Sequence, residues 1–373
     1  MIEQIFFFLF FEKSLHLHER SCIINLELMH YHFLNFNHIF HSILQKENRM
    51  VSIAIFNNKG GVGKTTYLYH LSNLLADAGK KVLMIDCDSQ CNLTAYALTD
   101  EQISQSWSSS GNSIYQAIKP IATGTGDYID CAPTFVSNNL YLVPGDIDLS
   151  VFEDRLGDTW SSAATQEISL RTQVAIYRYV NFEAQKLSTD FILFDLGPNL
   201  GALNRSVLGG CDYFITPLSP DLFSIKGTQN LGNKFVTWNE EWEPILSRWR
   251  SKGFEELPIA KPKFLGYVMQ QHNLRTNSTG MTQGWKIFGD QVNTAVMENI
   301  VSRLTPLHQV VFRDNYCLGA IPNLHSLIPY SLNARKPVYK CTGADGLKGA
   351  HISKAKASAQ DYSEMVDFLL GLV

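Results

Sequence analysis

Between an apolar run at 51–56 and a helical stretch that begins near Thr65, the chain carries Asn57-Asn58-Lys59-Gly60-Gly61-Val62-Gly63-Lys64-Thr65-Thr66. A glycine-rich turn in this strand-to-helix position narrows the fold more than any other feature of the sequence. Gly60, Gly61 and Gly63 let the backbone turn tightly and present its N–H groups to an anion, and the helix that follows adds its positive dipole end. Lys64 then supplies a point charge for the β- and γ-phosphates of a nucleotide, and Thr65 a hydroxyl ligand for Mg²⁺. A turn that only reversed the chain would need neither residue.

From Val51 onward, short apolar runs alternate with helical stretches, the pattern of βα units that build a mostly parallel sheet. Residues 65–78 read as a helix ended by Gly79, and residues 82–85 as a strand. Residues 100–135, rich in Ser, Gly and Thr, read as loops with at most a short helix. Leu140–Val143 reads as a further strand, and residues 165–187 as one long helix. The continuous apolar run at 191–194 is typical of a central parallel strand, and residues 213–216 and 264–268 look similar. The expected fold is α/β: one doubly wound, mostly parallel sheet in a single domain with insertions.

Of 373 residues, 45% are hydrophobic and 18% charged, which allows a large core. A formal net charge of −4 gives no global field to hold the protein on nucleic acid or an anionic membrane, so any such contact must be local. The cysteines at 22, 87, 91, 131, 211, 317 and 341 include no CxxC pair, which argues against a disulfide framework and a zinc site. The apolar stretch 5–11 stops at Glu12 and Lys13, far short of the roughly 20 residues a membrane span needs. A cytoplasmic location is expected. Residues 1–49 show no clean period, and Met50 directly precedes the first strand. Met50 is therefore expected to be the true start; the other reading of 1–49 is a short helical extension.

The ordinary pattern G-x-x-x-x-G-K-[ST] is not met, because Asn58 stands where its first glycine belongs. The segment instead fits K-G-G-x-G-K-T and resembles the deviant Walker A motif of the ParA/MinD family of P-loop ATPases. That resemblance implies ATP and Mg²⁺ as cofactors, and a SIMIBI-like P-loop architecture. It makes Lys59 the signature lysine that reaches phosphates bound by the partner subunit, giving an ATP-dependent homodimer. Lys59, Gly60, Gly61, Val62, Gly63, Lys64, Thr65 and Thr66 are the implied nucleotide contacts. The stretch from Asp86 to Thr94 resembles the family's D-x-D-P-Q-x-N-x-[ST] segment with Ser89 for the usual proline. Asp88 would orient or deprotonate the attacking water and Asp86 would hold Mg²⁺ through water. Phe191 to Pro198 resembles a Walker B strand in which Asp195 serves the Mg²⁺ shell, with Gly197 replacing the first proline of D-x-P-P. The resemblance runs from about Val51 to about Val338, with insertions near 100–135, 160–187 and 236–262, and the adenine segment would lie near Ile321-Pro322-Asn323. The superfamily's iron-protein branch uses paired cysteines, but the spacing of Cys87 and Cys91 favours small buried hydrophobes.

Relatives of the ParA type hold DNA non-specifically through phosphate contacts. Arg335, Lys336, Lys340, Lys348, Lys354 and Lys356 stand against Asp345 alone within 331–356. A second basic group comprises Arg248, Arg250, Lys252, Lys261, Lys263 and Arg275. A C-terminal membrane-targeting helix is not expected, because residues 358–373 carry Asp361, Glu364 and Asp367; Met365, Phe368, Leu369 and Leu372 should pack inward instead. The resemblance thus implies a partition ATPase, nucleoid-associated if it binds DNA, working with a ParB-like adaptor. The alternative is a nucleotide-gated protein-interaction switch in a mobile-element or defence system, in which the insertions grip a protein.

Overall fold

The computed structural model describes residues 50–258, 261–272, 283–324 and 326–373. The expectations for residues 1–49, and for Arg275 as a basic surface residue, lie outside the described residues. In chain order the elements are β1 Val51–Ile55, α1 Lys64–Asp77, β2 Val82–Cys87, α2 Asn92–Ala97, α3 Asp100–Ser106, α4 Ile114–Thr123, β3 Thr134–Ser137 and β4 Leu140–Val143. There follow α5 Leu149–Thr159, α6 Glu167–Gln173, α7 Ala175–Leu187, β5 Phe191–Leu196, α8 Ala202–Leu208, β6 Tyr213–Leu218 and α9 Leu222–Ser251. The last set is β7 Lys263–His272, α10 Gln283–Val296, β8 Cys317–Pro322, α11 Ile328–Ala334, α12 Ala350–Ala357 and α13 Ser363–Leu370.

The strands form one eight-stranded sheet in the order β3-β4-β2-β5-β1-β6-β7-β8. Every pair is parallel except β3 with β4 at the edge. β1 and β5 are buried along their whole length, which is why they read as unbroken apolar runs rather than alternating ones. Strand order reverses at β1: the chain first moves to β2 on one side and later returns to β6 on the other. Such a switch point opens a crevice at the carboxyl ends of the strands. In the register Ile55 lies beside Asp195, and Asp195 beside Asp86. The chain thus brings its acidic strand ends to the mouth of the glycine loop.

Several expected boundaries move for identifiable reasons. Residues 100–135 are not mainly loop but hold α3 and α4. The polar composition masks a helical face: Ile114, Ile118 and Ile121 recur at helical spacing and join the main core, while the Ser113 hydroxyl accepts a hydrogen bond from the Gln116 N–H at the helix start. The single helix expected at 165–187 is two, broken at Val174, whose backbone leaves helical geometry at φ −103°, ψ 9°. Residues 236–251 lie in the 30-residue α9, which leaves the expected insertion at 236–262 open. The C-terminal expectation holds in substance: α13 buries Met365 and Leu369 and packs on α1 and β8, while Phe368 lies half-buried beneath the Arg313 guanidinium. Cys87, Cys91, Cys211 and Cys341 are buried free thiols, as expected of small hydrophobes. Among the described residues no helix is long and apolar enough to cross a membrane.

Candidate nucleotide site

The glycine loop leaves β1 and turns into α1 through two residues in the left-handed region, Gly61 at φ 72° and Gly63 at φ 81°. Side chains rarely adopt that conformation, so glycine is required there. The Asn57 amide anchors the loop from below: its nitrogen donates to the Pro217 carbonyl at 2.6 Å, and its oxygen accepts from the Lys59 N–H at 2.9 Å. Val62 is buried, and Lys64 is turned inward, with its Nζ 3.4 Å from the Lys59 carbonyl. Burial lowers the Lys64 pKa, opposed by the nearby Asp195 and Asp88 carboxylates. The ammonium therefore lies among acids beneath the loop.

Thr65 opens the helix and its Oγ1 donates to Asp195 Oδ2 at 2.7 Å. Asp195 is fully buried, and its Oδ1 has no hydrogen-bond partner among the described residues. Burial, followed by repulsion from Asp86, pushes its pKa up to about 8. A buried, unpaired carboxylate oxygen costs free energy unless a cation or donor meets it. Hard oxygen donors from a hydroxyl and a carboxylate at a phosphate loop are the donor set Mg²⁺ takes when phosphate and water complete its shell. The residues present fit that ion.

Asp86 is placed differently. Its Oδ2 accepts from the Thr94 N–H at 2.8 Å and the Thr94 hydroxyl at 2.7 Å, and its Oδ1 from the Asp88 N–H at 3.2 Å. Burial still pushes its pKa up to about 6. These contacts tie the carboxylate to the segment after β2, and Oδ1, which accepts the longer of them, keeps acceptor capacity for a water of a metal shell. Asp88 lies just past the strand, half-buried, with Oδ1 accepting from the Gln90 N–H at 3.0 Å. A Cβ on Gly197 would come within 3.3 Å of that Oδ1. The glycine found in place of the motif's proline therefore makes room for the Asp88 carboxylate.

Lys59 points away from the loop and pairs with Asp221, the residue that caps α9 by accepting from the Ser224 N–H at 2.9 Å. Burial pushes the Asp221 pKa up, but Lys59 and the cap donors together hold it below the ordinary carboxylate value. Phe223, largely exposed, lies under the Lys59 ammonium at 5.9 Å. Thr66 uses its carbonyl to hold His70 Nδ1 at 2.7 Å. The sequence reading missed Gln270 on β7, whose Oε1 would lie 3.4 Å from a Cβ on Gly63 and whose buried Nε2 has no partner. A polar run, Gln270-Gln271-His272, at the carboxyl end of a strand with an apolar middle was the available signal.

The basic stretch at 331–356 is less free than its composition suggests. Arg335 meets Asp100 at 3.4 Å, Lys336 meets Asp345 at 2.8 Å and Lys340 meets Asp77 at 2.7 Å. Asp77 and Asp100 come from α1 and α3, far away in sequence, so counting charges along the chain overstated the patch. Lys348, Lys354 and Lys356 take no part in these pairs. In the second group Lys261 pairs with Glu243 at 3.0 Å.

A family model described as an AAA domain matches residues 50–247. The chain is 30% identical over 274 residues to the chromosome-partitioning ATPase Soj of Treponema pallidum, covering 72% of this chain and 92% of that one. It is 32% identical over 181 residues to the sporulation initiation inhibitor protein Soj of Bacillus subtilis, a match that spans 48% of this chain and only 63% of that relative's length. The solved structure of a Corynebacterium diphtheriae protein superposes with a TM-score of 0.62 at 28% identity, covering 77% of this chain and 97% of that one. McdA of Cyanothece, solved in complex with ATP, shares the fold with a TM-score of 0.55 at 16% identity, covering 86% and 96% of the two chains. The sheet order, the glycine loop between β1 and α1, the acids at the ends of β2 and β5 and these matches agree: the chain belongs to the ParA/MinD-type family of P-loop ATPases.

Proposed function

We propose that this protein binds ATP with Mg²⁺, dimerises around it, and hydrolyses it to ADP and phosphate in a DNA-partitioning cycle with a ParB-like stimulating partner. The observation that carries the reading is the buried cluster under the glycine loop, where Thr65 and Lys64 converge on Asp195 and leave one of its oxygens unpaired. In this reading the N–H groups of Gly60 to Thr66 cradle the phosphates, and Lys64 neutralises the β- and γ-phosphates. Thr65 and Asp195 hold the ion, which when bound supplies charge stabilisation at the transferred phosphoryl group. Asp88 orients the attacking water and takes its proton. Asp86 positions Asp88 through the N–H it accepts. Lys59 leaves Asp221 for the partner subunit's nucleotide, and the exposed Phe223 beside it joins the dimer surface. In this reading the protein works in the cytoplasm, on the nucleoid when DNA is bound.

Binding of the full chain to arbitrary duplex DNA with ATP, with ADP and with neither, across a salt series, tests the reading. ATP-dependent dimerisation with salt-sensitive DNA retention is expected. The ion pairs that engage Arg335, Lys336 and Lys340 favour a second reading, a nucleotide-gated protein-interaction switch of a mobile-element or defence system. ATP-dependent dimers that ignore DNA at every salt concentration would establish that reading over the first. Chains that stay monomeric with ATP would defeat both.

A further inference from the structure

Two stretches expected as insertions, 160–187 and 236–262, meet beside α8 around a feature that the nucleotide site does not use. A narrow cleft lies between α8, α9 and the segment that leads into β7. Phe235, Trp238 and Trp242 of α9 give it an aromatic wall, and Arg205, Asn239 and Gln309 supply polar groups. It opens at the amino ends of β6 and β7, the opposite end of those strands from the glycine loop.

The polar groups of this cleft are unusually short of partners. Among the described residues, Arg205 Nε and Nη2 and Trp242 Nε1 are buried donors with no hydrogen bond, and Asn239 Oδ1 and Gln309 Oε1 are buried acceptors with none. Gln309 as a whole is only 3% exposed. Arg205 keeps its charge, as guanidinium groups do in proteins; burial lowers its pKa and the nearby Glu241 offsets this only in part. Its guanidinium rests on the Trp160 ring at 3.5 Å, and Trp160 stacks on Trp242 with centroids 5.3 Å apart and planes 23° from parallel. Trp160 Nε1 donates to Glu241 at 3.1 Å, which fixes that ring. At the rim the Glu243 carboxylate is already engaged by Lys261 at 3.0 Å. A stacked, braced arginine whose Nε and Nη2 lack partners among the described residues is preorganised for an incoming acceptor.

We propose that this cleft binds a carboxylate carried on an apolar or aromatic body, the carboxylate accepting from Arg205 and Trp242 and the body lying against Phe235 and Trp238. One guanidinium and one neutral indole N–H suit a singly charged planar group better than a phosphate, which calls for more positive charge. The aromatic wall asks for an apolar companion. A free small acid and an acidic side chain beside an aromatic residue in a polypeptide present the same chemistry. The site is separate from the ATP reading and stands or falls without it.

The test is calorimetric titration of the full chain with sodium phenylacetate, with 2-phenylethanol as the uncharged control, and with an N-acetylated peptide carrying an Asp-Phe pair. Saturable binding of phenylacetate but not of the alcohol is expected, weakened about tenfold or more in Arg205→Gln. Trp242→Phe keeps the ring and removes only the N–H, so a loss of about threefold to tenfold is expected there, and this variant decides the matter should Arg205→Gln fail to fold. Tighter binding of the peptide assigns the site to a polypeptide, and binding of phenylacetate alone assigns it to a small acid. No saturable heat with either probe, or binding untouched by both substitutions, overturns the proposal.

Discussion

The two ends of α9 answer the same physical problem in opposite ways. At its amino end, Asp221 caps the helix and neutralises Lys59, so each charge there has a counter-charge within the chain. Roughly 30 Å further along, at a rise of about 1.5 Å per residue, Trp242 and the neighbouring Arg205 hold donors that the chain leaves unpaired. The first arrangement holds the lysine in an ion pair that is about one-third exposed on both sides. The second keeps an arginine braced on an aromatic ring with two buried N–H donors unpaired among the described residues.

Experiments on one end should leave the other intact, and the sharpest is also the largest in effect. Lys64→Ala removes the ammonium that lies among the acids under the loop, and ATP affinity is expected to fall about a hundredfold or more by titration calorimetry while the cleft keeps its phenylacetate binding. Loss at both ends would break the comparison. Asp88→Ala should leave ATP-dependent dimers measurable by light scattering while steady-state phosphate release falls by about two orders of magnitude or more. Turnover at the parental rate would remove Asp88 from the mechanism.

A pH effect tests the helix that carries the loop. His70 on α1 is fully buried, holds the Thr66 carbonyl at 2.7 Å and accepts the Val338 N–H at 2.8 Å through Nε2, so it is neutral in the fold. Burial lowers its pKa from 6.5 to about 4. The unfolded chain then binds more protons in this window, so the stabilisation is fully present above pH 6.5 and is lost as pH falls towards 4. The loss expected from this residue is about 3 kcal/mol, read by urea denaturation at pH 7 and pH 4. Replacement by Gln should flatten that dependence; an unchanged slope in the variant would assign the acid sensitivity elsewhere. The smallest effect belongs to Asp221→Asn. The Lys59 pair is about one-third exposed on both sides, so thermal stability should change by about 0.5 kcal/mol or less. A large drop would mean that the pair holds the fold rather than parks the lysine.

The nucleotide end was legible because its signals are local. Gly60 to Thr66 are consecutive, and loop geometry, helix start and hydroxyl position follow from the order of residues alone. Asp195 was legible as the acid that ends an apolar strand. What could not be read was whom each acid faces. Asp86 and Asp88 differ by two residues and look alike in sequence, yet one is tied to Thr94 and the other stands beside Gly197. Gln270 reaches Gly63 only because β7 lies two strands from β1 in the sheet.

The same division holds for charge and for the aromatic cleft. Composition showed six basic residues near the C-terminal end, but Asp77 and Asp100 pair with two of them across more than two hundred positions of chain. Trp160, Arg205 and Trp242 come from three separate helical regions, and no periodicity links them. The sequence by itself determined the α/β architecture, the phosphate loop and the identity of its chemical groups, because those depend on neighbours in the chain and on hydrophobic pattern. Only the tertiary structure decided which charges are paired, which carboxylate keeps a free oxygen and where idle donors converge, because these depend on distances between residues that the chain brings together only by folding.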